Sequence, residues 1–354
     1  MFQTLPGALR MAAALLLAAL LSRCLTPAVR VLAEKLGAVD LPGGRRIHDH
    51  PIPRMGGLAI CAAFLAAALL LSELTRPVVG LLLGALIVLL MGAADDLVSL
   101  SPLHKLVLQL AAAMTALAYG VRIEAITSPA GTSLALGPLA APATVLWIVG
   151  CTNAVNLIDG LDGLAAGVSA ISSLTLFEAA LLAGQPNAAL LLATLAGACL
   201  GFLPYNFHPA VIFMGDVGSQ FLGFVLGCVS IVGTLKFQTA LTFAVPLLSL
   251  ALPLADTACA FLRRLLHGQS PFRADRGHIH HRLLARGFTQ RQAAALLYAA
   301  SALSGLAALS FAAESDTLRL CCLALGGVVS MLLWFFVLRR SPPIRKRRKK
   351  RSAP

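Results

Sequence analysis

Acidic side chains in this sequence cluster in short polar segments that interrupt long apolar runs. Asp95 and Asp96 are adjacent at the end of one run, and Asp216 stands between glycines just before another. Adjacent carboxylates can hold a divalent cation or accept a proton, and a carboxylate before a helix start can anchor a metal that bridges anions. Lys105 follows soon after Asp96, where its ammonium group could meet a phosphate as a point charge.

A more specific segment reads Asn-Ala-Val-Asn-Leu-Ile-Asp-Gly-Leu-Asp-Gly from 153 to 163. Its oxygen-bearing side chains recur at every third residue, at Asn153, Asn156, Asp159 and Asp162, and this spacing predicts one shared helical face. The glycines between them allow close backbone approach to a ligand. Hard oxygen donors suit Mg²⁺ or Mn²⁺, although the same side chains could instead cap two helix ends.

Basic side chains supply the opposite charge. Three histidines in one polar segment would permit a zinc site, but the arginines around them suit phosphate oxygens better. Phe213 could stack on a planar base or simply pack. The basic candidates for substrate binding are Arg46, His48, Arg54, His278, His280, His281 and Arg282. A metal-binding acid cluster ringed by cations predicts phosphoryl transfer, because the cations would neutralise charge on the moving phosphoryl group.

The elements that must position these side chains are membrane helices. Of 354 residues, 58% are hydrophobic and 12% are charged, about half the charged share of a soluble domain. This composition excludes an ordinary soluble enzyme, a disordered chain and a disulfide-stapled secreted module. Much of the net charge of +13 comes from a basic cytoplasmic tail at 339–354, so we expect no nucleic-acid partner. The remainder, 1–338, is predicted to be one multi-span transferase domain.

Eleven apolar runs are long enough to span a membrane, which predicts an all-α, polytopic protein. They lie at roughly 8–28, 55–72, 77–94, 103–121, 141–158, 163–183, 187–203, 217–235, 238–262, 292–312 and 317–338. Pro246 and Pro253 should kink the ninth helix rather than end it. Lys and Arg divide 23 to 5 between the two sides, which predicts an outer N-terminus and a cytoplasmic C-terminus. The acidic segments and the histidines then share the cytoplasmic side.

The polar segments also match, in order, the motifs of a known family. They are Arg46-Ile-His-Asp-His-Pro-Ile-Pro-Arg-Met-Gly-Gly57, Asp95-Asp96, Asn153-x-x-Asn-x-x-Asp-Gly-x-Asp-Gly163, Phe213-Met-Gly-Asp-x-Gly-Ser219 and His278-x-His-His281. The chain therefore resembles the polyprenyl-phosphate N-acetylhexosamine-1-phosphate transferases of glycosyltransferase family 4. The motifs run from about residue 40 to 292, and the family's multi-span layout covers nearly the whole chain.

The resemblance implies that an N-acetylhexosamine 1-phosphate passes from its UDP derivative to undecaprenyl phosphate, with release of UMP and a requirement for Mg²⁺ or Mn²⁺. It assigns catalysis to Asp95, Asp96 and Asp159, and metal binding to Asp216 with Asn156 or Asp159 nearby. It assigns a phosphate contact to Lys105, uracil contacts to Phe213 and Asp162, and the neighbourhood of the diphosphate to His278, His280 and His281. It implies a multi-pass protein of the bacterial inner membrane, in contact with membrane lipid, and leaves a homodimer open.

The expected donor sugar depends on the histidine segment. Asp275-Arg-Gly-His-Ile-His-His-Arg-Leu is similar to the branch that starts O-antigen, common-antigen or teichoic-acid glycans with N-acetylglucosamine phosphate. The muramoyl-pentapeptide branch usually carries three consecutive histidines there, and Ile279 interrupts that run. UDP-GlcNAc is therefore the expected donor, with UDP-MurNAc-pentapeptide or another UDP-N-acetylhexosamine as the alternative. A transporter is a more distant alternative, suggested by the eleven runs and the intramembrane Asp256.

Overall fold

The computed structural model describes residues 7–41, 50–127, 133–234, 244–267 and 277–311, together with residue 324. Helices dominate these residues, and two short antiparallel ribbons lie between them. The helices are α1 (Gly7–Lys35), α2 (Gly57–Leu71), α3 (Arg76–Val98), α4 (Pro102–Ala118), α5 (Ala140–Ile158), α6 (Leu164–Leu182), α7 (Pro186–Asn206), α8 (Gly215–Thr234), α9 (Ala244–Ser249), α10 (Ala251–Leu266), α11 (Ile279–Ala285) and α12 (Gln290–Phe311). The ribbons pair β1 (Val39–Asp40) with β2 (Ile52–Pro53) and β3 (Ala125–Thr127) with β4 (Ser133–Ala135).

Seven of the described helices are long and apolar enough to cross a membrane, namely α1, α3, α5, α6, α7, α8 and α12. Helices α2 and α4 are apolar but shorter. A helix satisfies its backbone hydrogen bonds internally, which is what a bilayer demands of a spanning segment. The chain is an all-α, multi-pass membrane protein, as its apolar runs predict. The run at 317–338 lies outside the described residues apart from residue 324, as does the tail at 339–354, so eleven spans and their orientation stay a prediction.

The ninth apolar run is two helices rather than one kinked helix. Helix α9 ends at Ser249 and α10 begins at Ala251, with Leu250 between them in a non-helical conformation. Pro253 has no backbone N–H, and its ring crowds the carbonyl group four residues earlier, at Ser249. The backbone N–H of Leu250 still donates to the Pro246 carbonyl at 3.0 Å, so the break is short. The prediction of a continuous helix here is wrong.

The turn from α3 to α4 is set by local sequence. Helix α3 ends at Val98 and is followed by Ser99, which has a φ of 53° and whose backbone N–H donates to the Asp95 carbonyl. Ser101 then starts α4, because its hydroxyl oxygen accepts the backbone N–H of His104 and Pro102 needs no hydrogen-bond partner in the first turn. This tight reversal brings Lys105 of α4 back against Asp95 of α3.

Helix α8 packs against both α3 and α5 in the core of the bundle. Its side chains at Val217, Phe221 and Phe224 are buried. Gly92 of α3 faces Val217 so closely that a Cβ at position 92 would collide with the α8 backbone. Small residues at such contacts let membrane helices approach backbone to backbone. The packing holds the start of α8 against the carboxyl ends of α3 and α5.

Candidate active site

A cavity of about 460 Å³ opens at one end of the helix bundle, where the polar segments meet. Its walls come from the ends of α3, α5 and α7, the starts of α8 and α12, and the β1–β2 ribbon. The polar side chains that line it are Asp40, His50, Arg54, Asp96, Asn156, Asp159, Asp162, Asn206, His208, Asp216, His281 and Gln290, and Phe213 lines it as well. Carboxyl groups from five separate positions therefore surround one space.

Asp96 binds the start of α8. Its Oδ1 accepts the backbone N–H of Asp216 at 3.0 Å, and its Oδ2 accepts that of Val217 at 3.2 Å. These N–H groups have no partner within their own helix, and negative charge is favourable at a helix start. Gly215 has a φ of 76°, and a Cβ there would collide with the Asp96 carboxylate. Glycine is therefore required before Asp216, and the contact fixes where the Asp216 side chain leaves α8.

Asp95 has different partners from its neighbour. Lys105 Nζ lies 2.6 Å from Asp95 Oδ2 and 2.7 Å from Asp216 Oδ2. Asp95 Oδ1 accepts the backbone N–H of Leu100 at 2.7 Å. Consecutive residues on a helix point in different directions, so Asp95 and Asp96 do not form one paired-carboxylate site. Neither Asp95 nor Lys105 lines the cavity. Both stand behind Asp216.

Amide side chains hold Asp216 from two further directions. Asn156 Nδ2 donates to Asp216 Oδ1 at 3.2 Å, and Gln220 Nε2 donates to Asp216 Oδ2 at 3.0 Å. Deeper in the bundle, Gln109 donates to Gln220 at 2.8 Å and accepts from Asn153 at 2.8 Å. A buried amide network in an apolar surround is stable only when its groups are partnered. Asn153 therefore supports Asp216 from behind, and it is not part of the cavity wall.

The prediction that Asn153, Asn156, Asp159 and Asp162 share one helical face is wrong for Asp159 and Asp162. Helix α5 ends at Ile158, and Asp159 and Asp162 lie in the turn that follows. The glycines of this segment break the helix, and Gly163 adopts a φ of 75°. The turn nevertheless brings both acids to the cavity.

The cavity changes the acidity of Asp159. Burial raises the pKa of this carboxyl group to about 8, and the negative charges of Asp216, Asp96 and Asp162 add to the increase. Within the described part of the chain, no hydrogen bond to the Asp159 side chain offsets that cost. Proton transfer is most effective when the pKa of the group is close to the working pH. Asp159 is accordingly suited to accept and release a proton near neutral pH.

Asp162 orients a histidine that the sequence motifs do not include. Asp162 Oδ2 lies 2.7 Å from His208 Nδ1 and accepts the backbone N–H of Ala210 at 3.1 Å. Arg291 Nε donates to the His208 backbone carbonyl at 3.1 Å, which holds the segment from α12 as well. His208 lines the cavity, as do Asp162 and Phe213. The one available sequence signal was its position, five residues before Phe213.

The three histidines of the His278-x-His-His281 motif occupy different environments. His281 lines the cavity, whereas His278 and His280 are buried and do not. Burial lowers the pKa of His280 to about 3, and His281 contributes to the decrease. His278 Nδ1 lies 2.9 Å from Asp256 Oδ2 of α10. Asp256 therefore has a partner, which the sequence could not reveal because the two residues are 22 positions apart.

The remaining basic candidates differ in whether they line the cavity. Arg54 lines the cavity, with its Nε 3.8 Å from Asp40 Oδ1 on the paired strand. Arg282 lies on α11, is partly buried and does not line the cavity. Arg46 and His48 lie outside the described residues. Asp40, His50, Asn206 and Gln290 line the cavity without having been singled out from the sequence.

Comparison with known proteins relates the chain to a family. Residues 78–234 match the family described as Glycosyl transferase family 4. The chain is 41% identical over 292 residues to a probable undecaprenyl-phosphate N-acetylglucosaminyl 1-phosphate transferase of Bacillus subtilis, covering 82% of each chain. It is 36% identical over 314 residues to the decaprenyl-phosphate N-acetylglucosaminephosphotransferase of Mycolicibacterium smegmatis, covering 80% of this chain and 77% of that one.

A third relative is the undecaprenyl-phosphate alpha-N-acetylglucosaminyl 1-phosphate transferase of Escherichia coli K12, which is 30% identical over 292 residues, 80% of this chain and 79% of that one. The family match contains Asp95, Asp96, Lys105, the 153–163 segment and Asp216. The resemblance drawn from the motifs is thereby confirmed. All three relatives are named as transferases of a sugar phosphate. The chain belongs to glycosyl transferase family 4 and is an enzyme that transfers a sugar phosphate.

Proposed function

We propose that this enzyme transfers N-acetylglucosamine 1-phosphate from UDP-GlcNAc to undecaprenyl phosphate, releasing UMP and requiring Mg²⁺. The observation that carries the proposal is the convergence of Asp96, Asp159, Asp216, Arg54 and His281 on one cavity. The names of the relatives support both the sugar phosphate and the polyprenyl acceptor. The interrupted histidine run and those names favour N-acetylglucosamine over the muramoyl-pentapeptide sugar.

The reaction moves one phosphoryl centre between two oxygens. An oxygen of the lipid phosphate forms a bond to the β-phosphorus of UDP-GlcNAc, and the bond from that phosphorus to the bridging oxygen breaks. UMP leaves with the bridging oxygen, and the lipid then carries a diphosphate bonded to the sugar. Charge builds on the oxygens around the β-phosphorus, so positioning and electrostatic stabilisation supply most of the catalysis.

The basic and the acidic residues at the cavity would have different roles in this reaction. Arg54 and His281 line the cavity and would bind the donor diphosphate, while Lys105 lies 2.7 Å from Asp216 and balances its charge. Asp159, with its pKa raised to about 8, would take a proton from the lipid phosphate if that group arrives as a monoanion. Asp96 has both carboxylate oxygens bonded to α8, so we assign it to holding Asp216 in place.

The donor atoms of the cavity fit Mg²⁺. Asp216 and the amide oxygen of Asn156 are hard oxygen donors on one wall, and Mg²⁺ prefers such oxygens. No group of three or more His, Cys, Asp or Glu that could hold a metal ion occurs among the residues the structure describes. Mg²⁺ is commonly held by one or two carboxylates, waters and substrate phosphates, so this sparse set suits it better than zinc. When bound, Mg²⁺ would neutralise diphosphate charge.

The setting of the reaction follows from the same assignments. We place the enzyme in the bacterial inner membrane, with the N-terminus outside and the cavity at the cytoplasmic face, where a soluble nucleotide sugar would reach it. The reaction would start a cell-surface polysaccharide such as O-antigen, common antigen or teichoic acid. Attaching a membrane-impermeant thiol reagent to single cysteines placed at the two ends of α1, in intact cells, tests the orientation.

The activity test uses the purified protein in detergent, Mg²⁺, undecaprenyl phosphate and labelled UDP-GlcNAc. We expect a lipid-extractable product that needs both substrates and disappears with a chelator. UDP-MurNAc-pentapeptide offered at the same concentration should give at least about tenfold less product, since a site that fits one sugar loses binding energy with a bulkier one. Absence of product from UDP-GlcNAc, or a preference for the muramoyl donor, would contradict the proposal.

A further inference from the structure

Asp256 and His278 form a buried pair outside the cavity. The carboxylate of Asp256, on α10, has its Oδ2 2.9 Å from His278 Nδ1, and its Oδ1 accepts the backbone N–H of Ile279 at 2.9 Å. The side chains of Asp256 and His278 are only 7% and 6% exposed. A buried carboxylate is stable only when its oxygens are partnered, and here each oxygen has one partner. The pair therefore joins α10 firmly to the first residue of α11.

The second observation is a series of ring contacts that leads from this pair to the cavity. The His278 and His280 rings are parallel within 5° at a centroid distance of 5.8 Å. The His280 and His281 rings are tilted at 49° with centroids 4.3 Å apart. His281 lines the cavity, so the contacts run from Asp256 through two buried rings to the cavity wall. His280 also packs so closely on Gly160 that a Cβ at position 160 would collide with its ring.

Helix α11 needs such an anchor. It spans the seven residues Ile279–Ala285, which is too short for a helix to be stable without tertiary contacts. A carboxylate on Nδ1 also fixes the orientation and tautomer of an imidazole ring. His280 Nδ1 is buried without a hydrogen-bond partner among the described residues, which suits a neutral spacer between two rings. The position of His281 thus depends on contacts that begin at Asp256.

We propose that Asp256 and His278 are positioning residues that act through His281, and that His281 alone of the three histidines contacts a phosphate of the donor. This inference rests on the proposed function. The histidines of the motif would then have different roles. His278 binds Asp256 of α10, and only His281 contacts the substrate.

A double-mutant cycle tests the inference. We expect kcat/KM for UDP-GlcNAc to fall about 10²-fold in His281→Ala and about tenfold or more in Asp256→Ala. In Asp256→Ala/His281→Ala, the loss should stay within about twofold of His281→Ala, because the anchor then has nothing left to position. A purely structural role for Asp256 would instead multiply the two losses, and that result would overturn the inference.

The cycle has a matched control in Ser172, whose buried hydroxyl donates to the Ser249 carbonyl at 2.7 Å and links α6 to α9. Ser172→Ala should change kcat/KM by the same factor with and without His281→Ala. If Asp256→Ala cannot be purified folded, Asp256→Asn keeps the side-chain volume and replaces it in the same cycle. A parent protein that makes no product contradicts the proposed function, whereas an active parent with multiplying losses contradicts only the positioning inference.

Discussion

Two clusters pair carboxylates with a basic side chain near the cavity, and they differ most clearly in exposure. The wall cluster consists of Asp95, Lys105 and Asp216, with N···O distances of 2.6 and 2.7 Å. The rear cluster consists of Asp256 and His278, at 2.9 Å. The Asp216 side chain is 27% exposed and lines the cavity, while that of Asp256 is 7% exposed and does not. On the proposed function, the wall cluster would present charge to the substrate, and the rear cluster would orient a neighbouring residue.

The largest loss of activity should come from removing the charge of Asp216 in the wall cluster. Asp216→Asn keeps the side-chain shape but removes the charge that faces the cavity, so we expect kcat to fall by about 10³-fold. Initial rates of lipid-linked product formation in detergent measure this. The control is Glu34→Gln, which removes an exposed acid that pairs with Arg30 on α1 and should keep at least about half of the activity. An Asp216→Asn enzyme within tenfold of the parent would contradict the comparison.

A smaller effect is expected where the rear cluster meets the cavity. Gly160→Ala puts a Cβ into the His280 ring and should displace the turn that carries Asp159, lowering kcat/KM by about tenfold to 10²-fold. Gly150→Ala is the matched control, because its Cβ would meet nothing within 4 Å. Its free energy of unfolding should rise by about 0.5–1 kcal/mol, since alanine favours helix α5 more than glycine does. Steady-state kinetics and unfolding temperatures separate the two variants. Equal kinetic effects would show that the His280 contact does not matter.

The smallest expected effect is on the way the unfolding temperature depends on pH. Burial lowers the pKa of His280 to about 3, below the unfolded value of about 6.5, so the fold favours the neutral ring. The associated stability is fully present above about pH 6.5 and is lost as pH falls towards 3, by at most about 1.4 kcal/mol per pH unit. We expect the unfolding temperature of His280→Leu to fall less steeply over that range than that of the parent.

The control for this slope is Gly150→Ala, which changes no titratable group and whose added Cβ would meet nothing within 4 Å. The Gly150→Ala protein should keep the pH dependence of the parent. A parent whose unfolding temperature is unchanged from about pH 6.5 to 4, or a His280→Leu protein with the parental slope, would show that the buried ring carries no such cost.

The sequence predicts most of the membrane helices because their signal is local. Ten of the apolar runs fall on described helices; the short helix α2 lies within its predicted run, and α4 begins one residue before its own. The exception is the break at Leu250, where two prolines compete with an otherwise continuous apolar pattern. The convergence of Asp96, Asp159, Asp162 and Asp216 was also predictable, because topology places their segments at one end of the bundle.

The partners of those side chains were less predictable, because they depend on tertiary contacts. Asp95 and Asp96 look equivalent in sequence, yet one binds Lys105 and the other caps α8. Asp256 looks like a lone acid in an apolar run until folding brings His278 against it. His208 belongs to no recognised motif, and only its contact with Asp162 draws attention to it.

The most direct test of the central claim follows the two phosphorus atoms of the donor. UDP-GlcNAc carrying radioactive phosphorus at either the α or the β position is incubated with undecaprenyl phosphate and Mg²⁺, using the parent and Asp216→Asn proteins. We predict that the parent moves the β label into the lipid and leaves the α label in UMP, and that Asp216→Asn does neither at a comparable rate. Both labels remaining together in UDP, or unchanged transfer by Asp216→Asn, would contradict sugar-phosphate transfer at this cavity.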